Sequence, residues 1–184
     1  MQDTINTLEE IENKFVEIVQ KILKIDVSKK KNYGKVRVAW PTNGAPDWKI
    51  NEDICFIRIT PVDSPSARQQ DILYDANEEN EDALKEEIAY TRVHNINFCL
   101  YGPNSYNNAD LIRFALMKES IRKEINNINL HLITDIPMPI RVPELFNGQW
   151  WDRTDFNVTY NELVVRRSEA NKLILGDIKL LSNK

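Results

Sequence analysis

Apolar residues that recur at helical spacing predict two amphipathic helices in this chain. The first begins after Thr7, because Thr7 and Glu10 have the spacing of a capping box, which bonds the first free amides of a helix. Its apolar stripe consists of Leu8, Ile11, Phe15, Ile18, Ile22 and Ile25. The second helix is predicted over 107–128, with Asn107 as its N-cap. Its buried face would consist of Leu111, Phe114, Ala115, Ile121, Ile125 and Ile128.

Most of the other apolar residues follow strand patterns. Alternation of apolar and polar residues is typical of half-buried strands, and the continuous apolar run at 54–60 indicates a central strand. Together these patterns predict strands at 35–40, 54–60, 72–74, 88–100, 131–134 and 156–161. The polar residues 168–171 indicate a turn, after which a return strand from Leu173 would close a C-terminal hairpin.

The order of these elements is helix, strands, helix, strands, which predicts an α+β fold. We expect an antiparallel or mixed β-sheet with the two helices packed on one face. The chain has 184 residues, of which 42% are hydrophobic, so it can bury one sizeable core. We find no internal repeat and no linker, and therefore expect a single domain over residues 1–184.

One segment is strongly acidic. Residues 75–87 contain seven acidic side chains and one lysine, with few apolar residues among them. The acidic residues are Asp75, Glu78, Glu79, Glu81, Asp82, Glu86 and Glu87. Burying such charges without partners would cost several kcal/mol each. The segment is therefore predicted to be an exposed loop between strands, away from the folded core.

Charge and hydropathy argue against nucleic acids and membranes as partners. The formal net charge is −4, whereas a general nucleic-acid binder usually carries a clear positive excess. No apolar run approaches the ~18 residues of a membrane-spanning helix, and the first residues do not resemble a signal peptide, so no membrane association is expected. Cys55 and Cys99 each lie in an apolar run, which favours buried, reduced cysteines over a disulfide.

The sequence shows no motif of a known catalytic or cofactor site. His94 and His131 are far apart and without nearby cysteines; His94 is expected in the core or an interface and His131 in solvent. Glycine-rich phosphate loops and a nucleophile elbow are absent, so we expect no cofactor and no enzyme. One alternative is a metal-dependent nuclease built on Asp177-Ile178-Lys179 with Asp155 or Glu162. Charge alternation on an exposed strand produces the same triplet and is the favoured interpretation.

The four tryptophans are the best candidates for contacts with other proteins. Trp40, Trp48, Trp150 and Trp151 lie at strand ends or in loops rich in proline and glycine. Tryptophan is enriched at interfaces because it removes much apolar area from water. In a strand, the adjacent rings of Trp150 and Trp151 point to opposite sides, so one is available to a neighbour. We predict subunit contacts for Trp48 and for one of this pair; the alternative is that they cap the sheet core.

The C-terminal pattern carries a resemblance to a known family. A strand with Phe156, Val158 and Tyr160 is entered through Trp150-Trp151 after a proline-rich turn and is followed by the apolar run from Leu173. This arrangement resembles bacteriophage neck and tail terminator proteins, most clearly from about Tyr90 onward. The resemblance implies a tail-terminator-like fold, and a virion structural protein in place of an enzyme.

The resemblance also implies a location and partners. The subunit would form a homo-oligomeric ring, expected to be a hexamer, at the head-proximal end of the tail, after assembly in the host cytoplasm. The ring would cap the tail tube protein and offer a docking surface to the head-completion or connector protein. DNA would cross its lumen only as passing cargo, and the acidic segment would face that lumen or a partner. A connector adaptor protein in the same neck is the near alternative.

Overall fold

The computed structural model describes residues 3–40, 47–77 and 83–171. Within these ranges it contains three α-helices: α1 Leu8–Ile22, α2 Ser105–Met117 and α3 Glu119–Asn126. The strands of the described residues are β1 Val36–Val38, β2 Ile54–Val62, β3 Gln70–Ala76, β4 Ala83–Tyr101, β5 Leu130–Leu132, β6 Ile140–Arg141, β7 Glu144–Phe146, β8 Gln149–Trp151 and β9 Arg153–Asn171.

The first helix forms with the predicted cap and most of the predicted stripe, although Leu8 is exposed and Ile25 lies beyond the end of the helix. The Thr7 hydroxyl accepts a hydrogen bond from the amide of Glu10 at 3.2 Å. In return, the Glu10 carboxylate accepts one from the amide of Thr7 at 2.7 Å, which completes the capping box. Ile11, Phe15 and Ile18 on the apolar stripe are fully buried. Helix α1 is therefore held by its amphipathic face against the sheet.

The predicted second helix is in fact two helices, and its predicted N-cap is wrong. Leu111 and Phe114, which were predicted on its buried face, are exposed. The helix begins at Ser105, with Asn104 as N-cap, because Asp53 fixes that turn by accepting hydrogen bonds from the Asn104 amide and side chain, both at 2.9 Å. Lys118 then adopts an extended conformation with ψ 138° and separates α2 from α3. The bend lets α3 pack beside β5 while its apolar residues stay buried.

Seven strands form one mixed sheet. The order is β1-β2-β4-β9-β5, with β3 added to β4 and β6 added to β9; β1 and β2 are parallel and the other pairs antiparallel. The buried cluster combines helix residues with one parity of the strands. At its centre, Phe98 stacks on Phe156 with ring centroids 4.7 Å apart, and Phe15 meets the edge of Tyr160 at 5.2 Å. The predicted α+β class, with helices on one sheet face, is confirmed.

Strands β4 and β9 are far longer than the core they cross. Each has 19 residues, and they pair without interruption from Ala83↔Asn171 to Tyr101↔Arg153. The half of each strand near Tyr101 lies under the helices. The other half extends beyond them together with β3, which takes over the edge of β4 where β2 ends at Val62. We call β3, residues 83–92 and residues 162–171 the arm.

The arm corrects two predictions about local structure. The polar residues 168–171 are not a turn, because they continue β9 and pair with residues 83–86. Asp75, Glu86 and Glu87 do not lie in a loop but in β3 and β4. Strand pairing is tolerated there because the charges find partners at the surface: the Glu86 carboxylate accepts hydrogen bonds from Tyr74 at 2.9 Å and Ser168 at 2.7 Å. Glu78, Glu79, Glu81, Asp82 and the predicted return strand lie outside the described residues.

Candidate partner-binding surfaces

The sheet face opposite the helices forms an apolar groove. Side chains of the other strand parity, among them Phe56, Cys99 and Tyr101, make its floor. Its walls are the tryptophans Trp40 and Trp48 on one side and the segment around β6 on the other, which contributes Pro137, Met138, Ile140 and Val142. The groove has a volume of about 450 Å³. We call these residues the open-face groove, and none of them belongs to α1, α2 or α3.

An aromatic cluster closes one end of this groove. Trp48 meets Phe56, Tyr101 and Trp151 with ring centroids 5.1, 5.6 and 6.0 Å away. The guanidinium of Arg37 lies over the ring of Trp48 at 5.2 Å, in a cation–π contact. The ring of Trp48 is thus largely engaged within its own chain. Its predicted role in a subunit contact stays a prediction, and the structure leaves only part of the side chain for it.

The adjacent residues Trp150 and Trp151 lie in different environments: one ring packs against the chain and the other is exposed. Asn147 and Gly148 both have positive φ, 49° and 74°, and form the tight turn between β7 and β8. In β8, Trp151 turns inward against Trp48, whereas Trp150 is 67% exposed. The predicted opposite orientation of the two rings is therefore observed. Trp150 joins an exposed apolar group on this hairpin that also includes Leu145 and Phe146.

Arg153 and Asp155 form an ion pair within the groove. The Arg153 guanidinium donates to both carboxylate oxygens of Asp155, at 2.7 to 3.1 Å. The hydroxyl of Tyr101 donates to Glu144 at 2.7 Å, and burial raises the pKa of that phenol. Burial also raises the pKa of Cys99, half-buried where full burial is predicted, to about 12. The Cys99 thiol is therefore protonated at neutral pH and a poor nucleophile.

A buried ionic network lies where the arm joins the core. Glu162 is fully buried, and its carboxylate accepts hydrogen bonds from the amide and side chain of Asn6 at 2.9 Å, from Arg92 at 2.8 Å and from His94 at 2.8 Å. Burial alone would raise the pKa of Glu162, but these donors outweigh it and lower the pKa to about 2. Because the carboxylate only accepts, Nε2 of His94 carries the hydrogen. The prediction of a core histidine at 94 is confirmed, and His131 is exposed as predicted.

These contacts bear on the nuclease alternative. Both acidic residues that it would use, Asp155 and Glu162, are engaged in ion pairs. Across residues 3–40, 47–77 and 83–171, no group of histidine, cysteine and acidic side chains is arranged to hold a metal ion. Asp177 and Lys179 lie outside the described residues.

The arm presents a second apolar surface that the sequence pattern only hinted at. Every residue of β3 is exposed, including Ile72, Leu73 and Tyr74, and its outer edge has no strand paired to it among the described residues. Asp75 shares this exposed strand, whereas Glu86 and Glu87 are half-buried on β4. The predicted short strand at 72–74 was correct. Its position at a free edge depends on long-range pairing with β4, which local alternation does not reveal.

The sequence as a whole matches a known family. Residues 9–182, nearly the whole chain, match the family model described as phage neck terminator protein. No protein with a curated description matches at a significant level. Among the described residues, no helix has the length and apolarity needed to cross a membrane.

Proposed function

The chain belongs to the phage neck terminator family, and we propose that it forms a closed homo-oligomeric ring, a hexamer, that caps the tail tube. The family is one of structural proteins of the virion neck. In this role the subunit works by association and not by catalysis. The ring meets the last ring of the tail tube protein on one side and offers a docking surface to the head-completion or connector protein on the other.

The family match carries this proposal, and two exposed apolar surfaces support it. A ring closed by one repeated contact needs two different surfaces on each subunit, because the contact joins unlike patches. The hairpin β7–β8 with Leu145, Phe146 and Trp150 provides one, and strand β3 on the arm provides another. Apolar groups of this kind, left in water, are typical of sites that bind other proteins.

The acidic character of the chain suits a ring through which DNA passes. With a net charge of −4, the subunit has no general attraction for phosphate. In our proposal, the acidic residues of 75–87 face the lumen or a neighbouring protein, and a lumen wall of that charge keeps DNA from sticking during passage. DNA is then cargo and not a ligand.

A connector adaptor in the same neck is the alternative function, since it would use the same kinds of surface. The family description favours the terminator. The location follows in either case: the neck of the virion, after assembly in the host cytoplasm.

The decisive experiment measures mass and shape in the assembled state. Native mass spectrometry and negative-stain electron microscopy of the purified full chain should show closed rings of six subunits. Cross-linking in purified virions should place those rings next to the tail tube protein. A subunit that remains monomeric within virions would refute the ring, whereas contacts with portal-side proteins alone would favour the adaptor.

A further inference from the structure

Among the described residues, strand β3 is an unusually unprotected sheet edge. Natural edge strands are usually short or carry lysine, proline or a bulge that discourages further pairing. The seven residues of β3 contain none of these, and they expose Leu73 on one face and Ile72 and Tyr74 on the other. Its charged residues, Asp71 and Asp75, are both acidic. The edge is thus suited to an added strand that is apolar on both faces and carries positive charge.

The C-terminal segment of the chain has this character. Residues 172–184 follow directly after the end of β9 at the tip of the arm. They contain apolar residues of both parities, namely Leu173, Ile174, Leu175, Ile178, Leu180 and Leu181, with three lysines against one aspartate. We infer that residues 172–184 of one subunit add as a strand to the open edge of β3 in a neighbouring subunit. This inference rests on the proposed ring and names one of its contacts.

The segment has little room beside its own β9. The outer edge of β9 is closed at Val165, which exchanges backbone hydrogen bonds with Thr4 at 2.9 and 3.0 Å. One step further along, the amide of Arg167 donates to the carboxylate of Asp3 at 3.0 Å. Only residues 168–171 remain for a return strand, and the reversal of the chain would use part of that length. A return strand of nine apolar and charged residues does not fit there.

The edge of β3 in the same subunit is also a poor site. To reach it from Asn171, the segment must cross the arm past β4 and β3, about 14 Å at the usual strand spacing of ~4.8 Å. That crossing takes about four residues at ~3.3 Å each. Leu173, Ile174 and Leu175 would therefore form the connection and could not pair with β3. In a neighbouring subunit, the whole apolar run is available to pair with β3.

Mixed cross-linking of full-length chains tests the inference. One chain carries Leu73→Cys or Tyr74→Cys, the other carries Ile174→Cys or Leu175→Cys, and all carry Cys99→Ser to remove the half-buried thiol. Leu73 and Tyr74 face opposite sides of β3, as do adjacent residues of any strand. We expect disulfide-linked heterodimers in two of the four combinations. If Leu73→Cys links to Ile174→Cys, then Tyr74→Cys should link to Leu175→Cys. If Leu73→Cys links to Leu175→Cys instead, then Tyr74→Cys should link to Ile174→Cys. Leu111→Cys, at an exposed leucine on helix α2 that lies outside both the arm and the hairpin β7–β8, should link to neither Ile174→Cys nor Leu175→Cys.

The outcomes separate this contact from the ring itself. Cross-links that form only when both cysteines lie in one chain would mean that the segment binds its own subunit, and the inference would be overturned. Rings of normal mass with no cross-link in any combination would overturn it as well, while the proposed function would stand. If electron microscopy and native mass spectrometry show no ring, the proposed function fails and takes the inference with it.

Discussion

The two halves of strands β4 and β9 differ in the burial and charge of their side chains, although their backbones pair in the same way. In the core half, alternate residues such as Phe98, Phe156 and Val158 are buried under the helices. In the arm half, the strands carry charged pairs such as Glu87 and Arg167, and β3 is exposed at every position. Backbone pairing alone sustains a strand only weakly, and a hydrophobic face supplies most of the stability. The core half therefore stabilises the folded chain, whereas the arm half leaves a strand edge and apolar side chains exposed among the described residues.

The largest loss of stability is expected when a buried aromatic side chain is removed from the core half. Phe98→Ala removes a ring that is 1% exposed and stacked on Phe156, so it should lower the free energy of unfolding by about 3–5 kcal/mol. Tyr74→Ala removes an aromatic side chain from the arm that is 55% exposed, and it should cost less than about 1 kcal/mol. Urea denaturation of both variants measures the difference. Equal losses would show that the arm is part of the stabilising core.

The junction of the two halves should be nearly as sensitive. Glu162→Gln leaves Arg92 and His94 without their buried carboxylate partner, which should cost about 3 kcal/mol. Glu87→Gln, which breaks the more exposed ion pair with Arg167 on the arm, should cost at most about 1 kcal/mol. Chemical denaturation at neutral pH compares the two. A small loss for Glu162→Gln would mean that water or a rearranged amide replaces the carboxylate.

The same junction predicts a pH dependence of stability. The folded-state pKa of Glu162 is about 2, below its ordinary value of 4.5, so the native state favours the ionised form. The stabilisation is complete above pH 4.5 and is lost as the pH falls from 4.5 through about 2. The difference in unfolding free energy between the wild type and Glu162→Gln should therefore be constant above about pH 5 and shrink below it. A difference that stays constant down to pH 3 would contradict this assignment.

The adjacent residues Trp150 and Trp151 allow the same comparison between a packed and an exposed side chain on the hairpin β7–β8. Trp151→Ala removes packing against Trp48 and should cost about 2 kcal/mol, because the ring is only half-buried. Trp150→Ala should change stability by no more than about 0.5 kcal/mol, since the side chain is 67% exposed. Thermal unfolding measures stability, and native mass spectrometry measures assembly. We expect Trp150→Ala to lose rings while staying folded; intact rings would exclude Trp150 from the subunit contact.

Local sequence rules predicted the core half well and the arm less well. The capping box of Thr7 and Glu10 and the alternation of Phe156, Val158 and Tyr160 are local signals that the packed core reinforces. The bend at Lys118 escaped prediction because apolar residues occur on both sides of it, at Leu116 and Ile121, and neither glycine nor proline marks the break.

The failures on the arm have a different cause. Residues 168–171 look like a turn because they are polar, yet they remain in β9 because residues 83–86 pair with them. A strand without a buried face has no hydrophobic period to reveal it. The open-face groove was missed for a related reason, since Trp40, Phe56 and Met138 are distant in sequence and meet only through the sheet. The arm and the open-face groove both depend on pairing between strands that are distant in sequence, and no local pattern in a single sequence encodes such pairing.

The smallest effect on stability is expected from the acidic residues next to the arm. Glu78, Glu79, Glu81 and Asp82 can be replaced together by their amides, Gln, Gln, Gln and Asn. Their sequence offers little apolar material to anchor them, so the isolated subunit should keep its thermal midpoint within a few degrees. Virions assembled with the variant should nevertheless be impaired, either in DNA passage or in docking of a neck partner, because the segment would lose its negative charge.

A matched variant separates charge at this place from charge in general. Replacing Glu17, Glu52, Asp110 and Asp135 by their amides also removes four negative charges, but from surfaces away from the arm. If both variants reduce infectious particles equally, total charge is responsible and the placement of the acidic segment loses its support. If only the first does so while remaining folded, the segment acts in assembly or DNA passage. A first variant that fails to fold would instead show that these side chains belong to a structural network of the arm.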